Sequence, residues 1–173
     1  MTTGLLVIDL QRGMFSEVEK PHQGELVLER TAGLLRRARA DGVPIFHVQH
    51  DGGPGDPLAK SGPGFEIHPA VKPADGEPVI EKSVCSAYQN TDLDERLRAQ
   101  GIDRVVIAGM QTEYCIDTTC RAAFGLGYRV ALVSDAHTTF NSPVLTAPQV
   151  IAHHNHTLRS GFVELVEAAN VKF

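Results

Sequence analysis

The chain has 173 residues, 42% apolar and 21% charged, which suits one domain over residues 1–173 that buries roughly 70% of its unfolded surface. Its formal charge is −5 and its basic residues are scattered apart from Arg36, Arg37 and Arg39, so no nucleic-acid partner is expected. No apolar run reaches membrane-spanning length, Met1-Thr2-Thr3 lacks a charged secretory start, and three cysteines without C-x-x-C spacing suit a reducing compartment. The expectation is a cytoplasmic protein with no membrane partner.

Short apolar runs alternate with helical patterns along the whole chain. A strand is predicted at 4–9 and a helix near 24–41, where Val27, Thr31, Leu34, Leu35 and Ala38 form one stripe that ends at Asp41-Gly42. A strand at 43–49 follows. Residues 51–78 then break the pattern, because twelve of these twenty-eight are Gly or Pro. A loop this long reads as a lid or subunit-contact arm over the sheet edge, with one short helical turn around Ala59 or Phe65. Next come a strand at 78–82, a helix near 91–100 with Thr91 as N-cap and Gly101 past its end, and a strand at 104–109. A helix near 113–125 capped by Thr112, a strand at 128–133, a helix near 146–159 and a strand near 162–166 complete the order. The alternation predicts an α/β fold: three layers, α/β/α, around a mostly parallel, Rossmann-like sheet of about six strands.

Three reactive side chains stand at the ends of apolar runs: Asp9, Lys82 and, six residues after Gly109, Cys115. An open parallel sheet presents its reactive edge at the carboxyl ends of its strands, so a carboxylate, an ammonium and a thiol can converge there. Cys115 falls in the first turn of a predicted helix, where the positive helix end and a nearby Lys82 favour thiolate over thiol. Cys120 shares a stripe with Ile116 and Ala123 and reads as core, as does Cys85. His47, His50 and Asp51 after one strand, and His153, His154 and His156 near the end, form no metal-ligand motif with further support. No metal is assigned.

At these residues the chain resembles the isochorismatase-like cysteine hydrolases. The matching segments are Ile8-Asp9-Leu10-Gln11 with Phe15, Glu81-Lys82-Ser83 with Ser86-Ala87-Tyr88, Gly109-Met110-Gln111-Thr112-Glu113-Tyr114-Cys115, and Ser134-Asp135-Ala136. The resemblance runs in order from about residue 4 to 166. It implies an Asp9-Lys82-Cys115 triad and a cis peptide between Met110 and Gln111. The N–H groups of Gln111 and Cys115 would then form a two-donor oxyanion hole. It further implies pocket walls from Phe15, Tyr88, Tyr114 and Ile116, with Gln11 bonding the substrate or orienting the triad.

The resemblance implies hydrolysis of a C–N bond in a small amide, lactam or carbamoyl compound through a thioester, with no cofactor. Metal-dependent nicotinamidases of the superfamily carry an Asp-x-His motif; here Asp51 is followed by Gly52-Gly53. Isochorismatase-type ether hydrolysis, which needs no nucleophile, and a non-catalytic small-molecule binding protein are the alternatives. The family also implies a homodimer or homotetramer, and the length is similar to that of its streptothricin-hydrolase-like lactam hydrolases.

Overall fold

In a computed structural model, residues 2–16 and 19–173 are described. Six strands, β1 (Thr3–Ile8), β2 (Ile45–His50), β3 (Val79–Lys82), β4 (Arg104–Met110), β5 (Arg129–Thr138) and β6 (Glu164–Val166), form one sheet in the order β3-β2-β1-β4-β5-β6. Every neighbouring pair is parallel. The chain therefore builds outward from β1 in one direction and from β4 in the other, which makes the gap above their carboxyl ends the topological switch point where such sheets bind ligands.

The strands are apolar on both sides because both sides are covered. Leu6, Ile8, Val105 and Ile107 enter one core cluster, while Leu5, Val7, Val106 and Ala108 enter the other. Helix α1 (Gly24–Ala40) supplies Val27, Leu28, Leu34, Leu35 and Ala38 to the second cluster. The first is closed by α2 (Leu93–Ala99), α3 (Asp117–Gly125) and α4 (Ala147–Arg159), through Leu93, Leu97, Cys120, Ala123 and Leu158. The three-layer α/β/α expectation is met, with a sheet that is wholly parallel. Among the described residues no helix is long and apolar enough to cross a membrane.

Three local expectations change. The Thr91 hydroxyl donates to the Ala87 carbonyl at 2.6 Å, so α2 begins at Leu93 with Asp92 as its N-cap. The helix predicted over 113–125 is a π-helical turn, Thr112–Ile116, followed by α3. Thr112 is no cap, since its buried hydroxyl meets His137 Nδ1 at 2.8 Å instead. Strand β5 runs on through the polar Ser134-Asp135 to Thr138, because a register shift after Ile107 pairs Gly109 with His137 and Met110 with Thr138. Within the long loop, short 3-10 turns occupy Pro63–Phe65 and Pro69–Val71. An isolated bridge from Ile67 to Gln11 ties the loop to the end of β1.

Gly109 fixes the spacing of the two central strands. Its φ is +133° and an added Cβ would lie 2.0 Å from the Ile8 carbonyl oxygen, so β1 and β4 approach as only glycine allows. Gly109→Ala is expected to lower unfolding free energy by about 2 kcal/mol or more, read by urea denaturation. Wild-type stability in that variant would refute the close approach.

Candidate active site

Asp9 follows β1 directly, with φ at +51°, a conformation that aspartate tolerates better than most side chains. Its N–H donates to the Val48 carbonyl, which keeps it against β2. His50 and Lys82 are the last residues of β2 and β3 and are direct register partners. Cys115 lies inside the π turn that follows β4, in which the Ile116 N–H reaches back five residues to the Gln111 carbonyl. The Met110–Gln111 peptide bond is cis.

These positions bring the side chains together. Lys82 Nζ lies 2.7 Å from Asp9 Oδ2, 3.1 Å from Cys115 Sγ and 3.0 Å from His50 Nδ1. Lys82 is 4%, Asp9 3% and Cys115 8% exposed, so the charges interact with little screening by water. Asp9 Oδ1 has no hydrogen-bond partner among the described residues.

Burial pushes the Asp9 carboxyl above the usual carboxylate range, against the pull of Lys82. Burial also pushes the Cys115 thiol up, the Asp9 charge adds to this, and Lys82 opposes both. These causes run against the expected preference for thiolate, since the one ammonium is shared with the Asp9 carboxylate. Burial and the Lys82 charge hold His50 below the ordinary histidine range, as a neutral ring.

An isochorismatase domain model matches residues 3–162. The chain belongs to the isochorismatase family. It is 39% identical over 146 residues to a streptothricin hydrolase of Streptomyces noursei, a match covering 84% of this chain and 52% of that protein. The chain spans about half the length of the two streptothricin hydrolases it matches, so the expected similarity of length is not found. A solved isochorismatase of Pseudomonas putida KT2440 superposes with a TM-score of 0.93 at 30% identity, covering 98% of this chain and 90% of that one. A cysteine hydrolase of Pseudomonas syringae pv. phaseolicola 1448A superposes at 0.90 with 25% identity, covering 96% and 89%.

In this family member a cavity of about 660 Å³ opens over Asp9, His50, Gln111 and Cys115, within the size range of small-molecule sites. Of the expected walls, Tyr114 lines it. Phe15, Tyr88, Ile116 and Gln11 do not. Phe15 packs on His68, with ring centroids 5.1 Å apart, and Tyr88 stacks on Tyr128 at 6.0 Å within the core. Ile116 is fully buried among the α2–α4 side chains. Gln11, also fully buried, spends its carboxamide on the backbone: Oε1 accepts from the His50 N–H, and Nε2 donates to the carbonyls of His50 and Phe65. A period-based reading cannot tell an aromatic that faces the cavity from one that faces the helix layer beneath it.

The site also holds residues that the sequence reading left out. Glu113 lines the cavity with Oε1 accepting from the Thr139 hydroxyl, and Asp56, Pro57 and Leu58 of the long loop line it too, as a lid would. Cys85, taken as core, is a lining residue. Beside the π turn that holds Cys115, His137 Nδ1 meets the Thr112 hydroxyl and Nε2 donates to Asn155 Oδ1; burial pushes this ring down to about 4. The signal for His50 was its place at a strand end beside Lys82.

The other histidines lie elsewhere. His47 is buried against Glu77 at 2.9 Å, and His153 and His154 contact each other on α4. Asp51 caps its own loop, accepting from the N–H groups of Gly53 and Lys60. Asp9, His50 and Cys115 offer an oxygen, a nitrogen and a sulfur within 4.8 Å of one another, a set a divalent cation could use. Here they surround the Lys82 ammonium, which touches one atom of each.

Proposed function

We propose that this protein is a cysteine hydrolase that cleaves a C–N bond of a small amide, lactam or carbamoyl compound through a thioester on Cys115. The observation that carries the reading is the Lys82 ammonium, buried beneath the cavity and bonded at once to Asp9 and Cys115, both of which line it. The name of the Pseudomonas syringae neighbour agrees with it.

In the first half-reaction, Asp9 takes the thiol proton as sulfur adds to the carbonyl carbon. The carbonyl electron pair moves to oxygen, where the N–H groups of Gln111 and Cys115 stabilise it. Collapse breaks the C–N bond, and the departing nitrogen leaves with the proton from Asp9. In the second half-reaction, Asp9 takes a proton from water as its oxygen adds to the thioester carbon. Collapse then expels the sulfur, which regains the proton while the carboxylic acid departs. Lys82 stays an ammonium throughout and stabilises the sulfur each time it carries charge. A homodimer or homotetramer belongs to the same proposal, since it would cover the exposed Tyr114, Val144 and Leu145 near the cavity mouth.

The test is a screen of amides, lactams, ureido acids and nicotinamide with purified protein, following amine or ammonia release. Glu19, Asp56 and Glu113 line the cavity, and no Lys or Arg does among the described residues. Amides bearing a protonated amine are therefore expected to outrun carboxylate-bearing ones of the same size by about tenfold in kcat/KM, with the ratio shrinking as salt is raised. Absence of turnover across the screen would contradict the amidase reading, and a preference for carboxylates would contradict the assignment of the wall charges.

A further inference from the structure

We propose that His50 is a positioning residue for the Lys82 ammonium, acting as its third acceptor and holding it between Asp9 and Cys115. An ammonium has three donors and no acceptor. Those of Lys82 are matched one to one by Asp9 Oδ2, Cys115 Sγ and His50 Nδ1, at 2.7, 3.1 and 3.0 Å. Because Nζ can only donate, His50 Nδ1 accepts, and the neutral ring carries its proton on Nε2.

His50 is itself held on both sides of its backbone. The Gln11 side chain accepts from the His50 N–H at 2.8 Å and donates to the His50 carbonyl at 2.9 Å. It thereby continues the pairing that β1, which ends at Ile8, no longer supplies to the end of β2. A chain of contacts thus runs from Gln11 to His50 to Lys82 to the sulfur. Without the third acceptor, one ammonium hydrogen would be buried unpaired, and Nζ would turn toward Asp9 and away from sulfur. Cys115 would then lose part of the cation that stabilises its ionised form.

The inference rests on the hydrolase reading only for its effect on turnover, so the experiment reads the sulfur directly. Iodoacetamide labels the wild type, His50→Leu and His50→Asn at neutral pH, and peptide mass spectrometry resolves the sites. Cys85, which lines the same cavity, reports cavity access and serves as the internal standard. His50→Leu is expected to slow Cys115 about tenfold relative to Cys85, equivalent to one unit in the thiol pKa. Asparagine can place Oδ1 where Nδ1 was, so His50→Asn is expected to stay within about twofold of wild type. Nitrogen-15 NMR of the wild type, which needs no variant to fold, is expected to show the Nε2–H tautomer.

A wild-type ratio in His50→Leu, a His50→Asn as slow as His50→Leu, or an Nδ1–H tautomer would each overturn the inference. Turnover surviving in Cys115→Ala would instead remove the thioester reading and leave the labelling result intact. A dead Cys115→Ala beside unchanged labelling in both His50 variants would remove the inference alone.

Discussion

Cys115→Ala is expected to lower amide hydrolysis on the order of 10⁴-fold or more while the protein keeps its fold. The size follows from the role: a nucleophile that forms the covalent intermediate has no substitute in the site. The next thiol on the cavity wall, Cys85, has no contact with Asp9 or Lys82 among those described. The fold should survive because the sulfur faces a cavity, and its loss removes little packing, about 1 kcal/mol. Cys115→Ser should be equally inactive, since a hydroxyl is a poorer nucleophile at this proton balance. Circular dichroism and ammonia release, measured on the same sample, check both parts. Activity within tenfold of wild type in a folded Cys115→Ala would remove sulfur from the mechanism.

Asp9→Asn is expected to separate two properties that a structural role would move together. Turnover should fall by about 10² to 10⁴, because the residue that takes and returns the proton is gone. Labelling of Cys115 by iodoacetamide at neutral pH should rise. The sign comes from the causes that hold the thiol up: burial first, then the Asp9 charge, with Lys82 opposing. Removing the carboxylate charge leaves the ammonium as the only formal charge beside the sulfur, so the thiol pKa falls and more thiolate is present at a given pH. A gain of about tenfold corresponds to one pKa unit. In the wild type, burial also raises the Asp9 carboxyl, which places the acid limb of kcat/KM above the ordinary carboxylate range, since protonated Asp9 cannot act as base. Slower labelling together with lost turnover would mean that Asp9 merely holds the site in shape.

The parts of this molecule that could be read from residues alone are those dictated by strand and helix period. The apolar runs ending at Asp9 and Lys82 and the stripe on α1 specify strands and a covering helix wherever they occur, and their alternation leaves a parallel sheet as the economical arrangement. Convergence of Asp9, Lys82 and Cys115 follows from placing each at the carboxyl end of its strand. Features that depend on a partner distant in sequence were hidden. Thr112 looks like a cap until His137, 25 residues away, takes its hydroxyl, and that same contact belongs to the π turn holding Cys115. Gln11 looks like a substrate ligand until the end of β2 is brought beside it. Tyr88 and Ile116 neighbour the Lys82 and Cys115 segments yet point into the core, because the side of an element facing the cavity is fixed by packing rather than by spacing.

Partition of the acyl intermediate between water and hydroxylamine tests the thioester most directly. Two amides with the same acyl group and different amines, both turned over, are hydrolysed with added hydroxylamine, and the ratio of hydroxamate to acid is measured for each. Because both substrates pass through one acyl group on Cys115 after the amine has left, the ratio is expected to be the same for the pair whichever step limits the rate. Ratios that change with the departing amine would mean that water attacks the substrate directly, and the covalent role of Cys115 would be contradicted.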